Sequence, residues 1–333
     1  MNSGIEKNIG GHHWQGRDDT AGEGASALRW HQQVLPYEKK SAAGNVLIGF
    51  CSDEGVRRNG GRIGAAQGPA ACRNALANLA WHGTRPVYDA GDVVCHGENL
   101  EAAQTALGKQ IAALLSEGQR PLVIGGGHEV AWGTWQGVAL AIPQKNNHRI
   151  GIINVDAHFD LRKSTAPSSG TAFLQMADDC ARRQWPFHYL CLGVSALANT
   201  AALFATARRT GSQWLLDEEF VAWRHAEMQT CLSTFLDQVD DVYLTICLDA
   251  FPAAVAPGVS APAARGIEVA MVEWVIDLVQ QRGQLRVAEI AELNPRFDED
   301  NRTARLAARL LARCADAVRP ADFSNPDTDT LTE

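Results

Sequence analysis

Ile152-Ile153-Asn154-Val155-Asp156-Ala157-His158-Phe159-Asp160 runs from a β-branched apolar stretch into three metal-ligating side chains spaced two apart. In extended backbone, side chains two apart point the same way, so Asp156, His158 and Asp160 are predicted to converge on one spot. Two buried acids need a cation to neutralise them. A mixture of oxygen and imidazole donors suits a borderline or hard divalent metal.

Outward from this run, short apolar segments alternate with longer helical patterns. Strands are predicted at Asn45 to Cys51, Val87 to Ala90, Pro121 to Gly125, Arg149 to Val155, His188 to Val194, Val242 to Leu248 and Arg286 to Ala291. Between them, apolar residues recur every three or four positions over Pro69 to Trp81, Leu100 to Ser116, Asp217 to Val239 and Glu268 to Arg282, the spacing of amphipathic helices. Strands apolar on both faces and separated by helices predict an α/β fold with a mostly parallel sheet covered on both sides. Ligands in such sheets bind beyond the carboxyl ends of strands, where Asp156 to Asp160 falls.

The chain has 333 residues, 46% of them apolar, and a formal charge of -8. That balance gives no electrostatic footprint for nucleic acid or an anionic membrane, which leaves small molecules or further copies of the chain as partners. No apolar run approaches the roughly 20 residues that span a bilayer, and the N-terminus lacks a long apolar segment, so a cytoplasmic location is expected. The eight cysteines form no C-x-x-C pair. Most are expected to be small buried hydrophobes in a reducing compartment. One domain over residues 1–319 is expected, followed by a mobile tail over residues 320–333; by composition the first 25 or so residues look loosely held.

Three other strand ends carry chemistry. Gly125-Gly126-Gly127-His128 opens a helical pattern over Val130 to Leu140, and His128 is either a helix cap or a ligand supplied from a neighbouring strand. Thr245-Ile246-Cys247-Leu248-Asp249 repeats the spacing of two, with Asp249 read as a turn residue or a ligand. Ala288-Glu289-Ile290-Ala291-Glu292 offers two acids, either of which could be a surface carboxylate. The remaining histidines have no comparable setting.

These segments resemble the signatures of the ureohydrolases, the family of arginase, agmatinase and formimidoylglutamase: Gly-Gly-x-His, Asp-Ala-His-x-Asp and Ser-x-Asp-x-Asp. The third departs, with Cys247 at its first acid. Trp14 to Asp19, Val56 to Gly64, Gly193 to Thr200 and Val255 to Pro262 look most like the bacterial formimidoylglutamase branch. Since Trp14 to Asp19 belongs to the likeness, the composition-based view of the N-terminus is revised toward an ordered segment.

The resemblance implies a three-layer arginase-like fold, a homo-oligomer and two manganese ions. One ion would be held by His128, Asp156 and Asp160, the other by His158, Asp156 and Asp249. Cys247 either bridges as a thiolate, which favours softer divalent metals than manganese, or stays a buried non-ligating thiol. The implied activity is hydrolysis of N-formimidoyl-L-glutamate to L-glutamate and formamide in histidine degradation, by a hydroxide held between the two metals. Glu292 would hold the amidine and Asp160 would carry the proton. Arg162 is the first candidate to bind a substrate carboxylate; Arg57, Arg58 and Arg62 follow. Phe173 occupies the place of a histidine that arginases use as a proton shuttle. The alternatives are a guanidino substrate, as in agmatinase or arginase, and a non-catalytic, metal-deficient scaffold.

Overall fold

The computed structural model describes residues 7–141 and 148–315, so the expected tail at 320–333 lies outside the described residues. Eleven strands are present among them. A hairpin of β1 (Lys7–Ile9) and β2 (His12–Trp14) precedes a nine-stranded sheet made of β3 (Leu35–Pro36), β4 (Asn45–Cys51), β5 (Val87–Val94), β6 (Arg120–Ile124), β7 (Ile150–Val155), β8 (His188–Val194), β9 (Gln213–Leu216), β10 (Asp241–Cys247) and β11 (Leu285–Ala291). The sheet order is β3-β5-β4-β6-β11-β10-β7-β8-β9, and every neighbouring pair is parallel.

Alternation along the strands builds two separate cores. Leu47, Leu122, Ile153 and Leu244 face helices Gly68–Ala77, His225–Leu236, Val269–Gln281 and Arg302–Ala315. Ile48, Val123, Ile152 and Tyr243 face helices Leu100–Ser116, Val130–Ala141, Ala172–Arg183 and Ala201–Thr210 on the other side. The result is helix, sheet and helix in three layers, which the doubly apolar strands require: neither face of the sheet can be left to water.

Strand registers in the middle of the sheet are level at their carboxyl ends. Ile124 of β6 pairs with Ile290, Ala291 of β11 pairs with Cys247, and Ile246 of β10 pairs with Val155 of β7. Four adjacent strands therefore stop along one line, and their C-terminal residues share a single ridge.

Several predicted elements change. The predicted helix over Asp217 to Val239 is confined to His225–Leu236, because the chain first turns after β9, where Glu219 and Phe220 N–H both donate to the Leu216 carbonyl, and then makes a single helical turn at Ala222–Arg224. Helix Gly68–Ala77 stops short of Trp81, where Ala80 forms an antiparallel bridge with Arg29. β5 runs on past Ala90 to Val94, its register shifting at a bulge. The N-terminal segment is held firmly, as the likeness suggests: Trp14 is fully buried and donates its indole N–H to Asp89 Oδ2 at 3.0 Å. Five of the eight cysteines are buried and none is disulfide-bonded. No described helix is long and apolar enough to cross a membrane.

Candidate active site

β6, β11, β10 and β7 lie side by side, and each supplies the site from the residues just after it. After Ile124 the chain passes so close to β4 that a Cβ on Gly126 would sit 1.7 Å from the Ser52 carbonyl oxygen, and Gly127 N–H donates to that carbonyl at 3.0 Å. Only glycine allows this approach. It delivers His128, buried, to the ridge before helix Val130–Ala141 begins.

β7 ends at Val155, so Asp156, His158 and Asp160 do not lie on a strand as the spacing suggested. A tight loop brings them together instead. Asp156 Oδ1 accepts from the backbone N–H of His158 at 2.8 Å, the Phe159 N–H donates to Asn199 Oδ1 at 3.1 Å, and Asp160 adopts φ of 47°. On β10 Cys247 is the last residue, and Asp249 sits in the helical turn Leu248–Ala250. Glu292, one residue past β11, has φ of 70°; its N–H donates to the Gly126 carbonyl and its Oε1 accepts from His128 N–H at 2.9 Å. A left-handed backbone at a non-glycine residue costs energy and tends to persist where function holds it.

Asp156 has its two oxygens turned to two different imidazoles. Oδ2 lies 2.9 Å from His128 Nδ1, and Oδ1 lies 3.4 Å from His158 Nδ1. Asp160 Oδ2 is 3.1 Å from the same His128 nitrogen, and Asp249 Oδ2 is 3.3 Å from the His158 nitrogen. Donor atoms of His128, Asp156 and Cys247 fall within 4.8 Å of one another, as do those of Asp156, His158 and Asp249. These are two candidate metal-binding groups with Asp156 in common.

The cluster is electrostatically incomplete on its own. His128 Nδ1, Asp249 Oδ1 and Glu292 Oε2 are buried and make no hydrogen bond. Burial, then the Asp156 charge, pushes the Asp160 carboxyl above its ordinary pKa. Asp249 is raised by burial and by Asp156, although His158 works against the shift. Glu292 is pushed up to about 8 by burial, with Asp249 and Glu129 adding to the shift. Burial also holds the Cys247 thiol well above its usual value, reinforced by Asp156, Asp249 and Glu292. Burial works against charge on His128 and His158, yet the carboxylates beside them outweigh it and raise both. Acceptors crowded around unpaired atoms fit divalent cations, whose charge would reverse each carboxyl and thiol shift.

A cavity of about 330 Å³ opens onto this ridge, lined by His128, His158, Asp160, Cys247, Asp249 and Glu292. Arg162 and Arg62 line it too, whereas Arg57 and Arg58 do not. Arg57, half exposed, is committed to Glu54 and Glu98, and Arg58, mostly buried, to Glu54 and Glu101; contrary to the expectation, the structure places both in ion pairs away from the cavity lining. Arg62 spends its guanidinium on the carbonyls of Val259 and Ser260 and stacks on Phe297. Arg162 alone among the four shows no side-chain hydrogen bond, ion pair or ring contact among the described residues, and it lines the cavity.

Residues 43–315 match the arginase family profile. A formimidoylglutamase of Ralstonia nicotianae is 53% identical over 311 residues, covering 92% of this chain and 95% of that protein. The chain belongs to the arginase family. Among solved structures, a Trypanosoma cruzi formiminoglutamase with manganese is 26% identical, has a TM-score of 0.73 and covers 84% of this chain and 94% of its own. A Bacillus subtilis formimidoylglutamase shares the fold at 21% identity with a TM-score of 0.77, over 87% of this chain and 92% of that one.

The arginase-family frame here includes polar residues that motif reading passed over. Asn59, Ser169 and Asn199 also line the cavity. Asn199 is a brace, since its amide donates to the carbonyls of Ala157 and Ser195 and its oxygen accepts from Phe159 N–H. Glu289 is fully buried, not at the surface. Phe173 lies outside the cavity lining; its ring packs edge-on to His128, 5.3 Å between centroids, and stacks on Tyr189 at 4.7 Å. An aromatic wall thus stands behind His128.

Proposed function

We propose that this chain hydrolyses N-formimidoyl-L-glutamate to L-glutamate and formamide in the cytoplasm, with two divalent cations held on the shared ridge of β6, β11, β10 and β7. The observation that carries the reading is one cavity joining the incomplete carboxylate and imidazole cluster to Glu292 and to the uncommitted guanidinium of Arg162. The 53% identity to a formimidoylglutamase over nearly all of both chains supports the choice of substrate.

His128, Asp156 and Asp160 would hold one cation, and His158, Asp156 and Asp249 the other, with Asp156 between them. Manganese is the expected ion. Cys247 supplies a fourth negative charge when it ionises beside them, and its softer sulfur extends the choice to other divalent metals. When bound, the cations acidify a water enough to give a nucleophile strong enough for an amidine at neutral pH.

The remaining work falls to side chains. Glu292 keeps Oε2 free of protein partners, because Oε1 is fixed by His128 N–H. That free oxygen pairs with an amidinium N–H and orients the formimino carbon. Asp160 takes the proton released by the attacking water and returns it to the glutamate nitrogen as the C–N bond breaks. Arg162 grips a carboxylate at the glutamate end in a two-pronged pair, for which its planar fork is suited.

Purified, metal-loaded protein is expected to release formamide and glutamate from this substrate. Urea as the main product, from arginine or agmatine, would overturn the reading.

A further inference from the structure

Behind His128, on the side away from the cavity, a chain of hydroxyl groups leads into the core. His128 Nε2 lies 3.1 Å from Thr245 Oγ1, and Thr245 Oγ1 donates to Glu289 Oε1 at 2.8 Å. Tyr243 O–H donates to the same Oε1 at 2.8 Å, and Thr134 O–H donates to Oε2. Glu289 and Thr245 are fully enclosed, and Tyr243 and His128 nearly so. No water is needed to complete this network.

The direction of these bonds follows from counting protons. Burial raises the Glu289 carboxyl, while His128 and the three hydroxyl donors favour its charged form. With Glu289 ionised, the one hydrogen of the Thr245 hydroxyl goes to it, so the Thr245 oxygen can only accept from His128. Nε2 of His128 must then carry its hydrogen. In the neutral ring this leaves the lone pair on Nδ1, the nitrogen that lies between Asp156 Oδ2 and Asp160 Oδ2 without a hydrogen bond.

We infer that Glu289, through Thr245, is the positioning residue that fixes the tautomer and ring orientation of His128 for cation binding. Glu289 touches neither cavity nor ligand atoms; it acts by making the Nδ1 lone pair the only one available and by strengthening it as a donor. Tyr243 and Thr134 hold the carboxylate so that it cannot swing away. The inference rests on the proposed role of His128 as a ligand.

The test uses the full chain loaded with Mn2+ and challenged with increasing chelator, counting retained metal by elemental analysis and following the melting temperature of metal-free samples. His128→Ala identifies the equivalent of metal that depends on His128. Thr245→Val and Glu289→Gln are expected to release that equivalent at about 10- to 100-fold less chelator than wild type, a range typical of outer hydrogen-bond partners of a metal-binding histidine. Thr245→Ser, which keeps the hydroxyl, should hold it like wild type, and the equivalent dependent on Asp249 should be unchanged in all three.

If His128→Ala removes one equivalent while Thr245→Val and Glu289→Gln retain it like wild type, the inference fails and the ligand assignment stands. If His128→Ala removes none, both fail. Weakened binding in Thr245→Ser equal to that in Thr245→Val would also overturn it, because the hydroxyl would then be irrelevant. A lowered melting temperature with weakening of both equivalents would mean a structural role only.

Discussion

Arg73 and Asp89 are as deeply buried as Asp156, yet the two places treat charge in opposite ways. At the β5 side of the sheet, Arg73 donates to both oxygens of Asp89 at 2.9 Å each and to Asp92 at 2.6 Å, while Trp14 and Gly91 N–H complete the Asp89 shell. No side-chain atom of Arg73 or Asp89 is left unpaired. At the β6-β11-β10-β7 ridge, Asp156, Asp160, Asp249 and Glu292 face two histidines, and three buried atoms find no partner. One cluster is closed by the chain itself. The other has the composition of a site completed by something the chain does not encode, and the contrast separates a structural ion knot from a binding site more sharply than burial does.

The comparison can be broken by substitution. Asp249→Asn is expected to reduce kcat/KM by about 1000-fold, the scale of losing a principal electrostatic group, without lowering the melting temperature of the metal-free protein. The sign follows from Asp249 itself: burial and Asp156 oppose its charge, so a neutral amide relieves the apo fold. Arg73→Met should do the reverse, destabilising the fold by about 3–5 kcal/mol in denaturant titration because Asp89 is left buried and uncompensated. If Asp249→Asn lowered the metal-free melting temperature as Arg73→Met does, the distinction between the clusters would collapse.

Two smaller effects sharpen it among the arginines. Arg162→Ala is expected to raise KM by about 10- to 100-fold with a smaller change in kcat, as when binding to a remote substrate group is lost. Steady-state kinetics with N-formimidoyl-L-glutamate check this, and a kcat loss at constant KM would remove Arg162 from the substrate-binding role. Arg57→Ala should change KM by less than about twofold, because Arg57 lies outside the cavity lining and its half-exposed guanidinium is spent on Glu54 and Glu98. A KM change matching that of Arg162→Ala would show that the cavity reaches further than its lining indicates.

Much of the fold is legible in the sequence. β4 and β8 occupy the predicted ranges, and helix Leu100–Ser116 matches to the residue, because apolar periodicity is a local consequence of which faces must be buried. The short edge strands β3 and β9 were not legible. With two and four residues they carry too little pattern, and neighbouring backbone defines them. At the site, the residues singled out by spacing share one ridge, but Asp156, His158 and Asp160 reach it by a route that spacing does not reveal. A loop with a left-handed Asp160, not strand alternation, brings them together. Glu289 had no readable signal, since an acid in an apolar strand looks the same whether it faces water or three buried hydroxyls.

The sequence by itself determined the residue types at the strand ends, the parallel three-layer arrangement and the departure at Cys247, all properties written in local order and periodicity. Tertiary structure decided which of those residues meet. The order β6-β11-β10-β7 places segments more than a hundred residues apart on one ridge, and it sends Arg162 to the cavity while Arg57 and Arg58 are spent on glutamates. Convergence and charge balance depend on strands that are neighbours in the sheet but not in the chain, so no reading of adjacent residues could supply them.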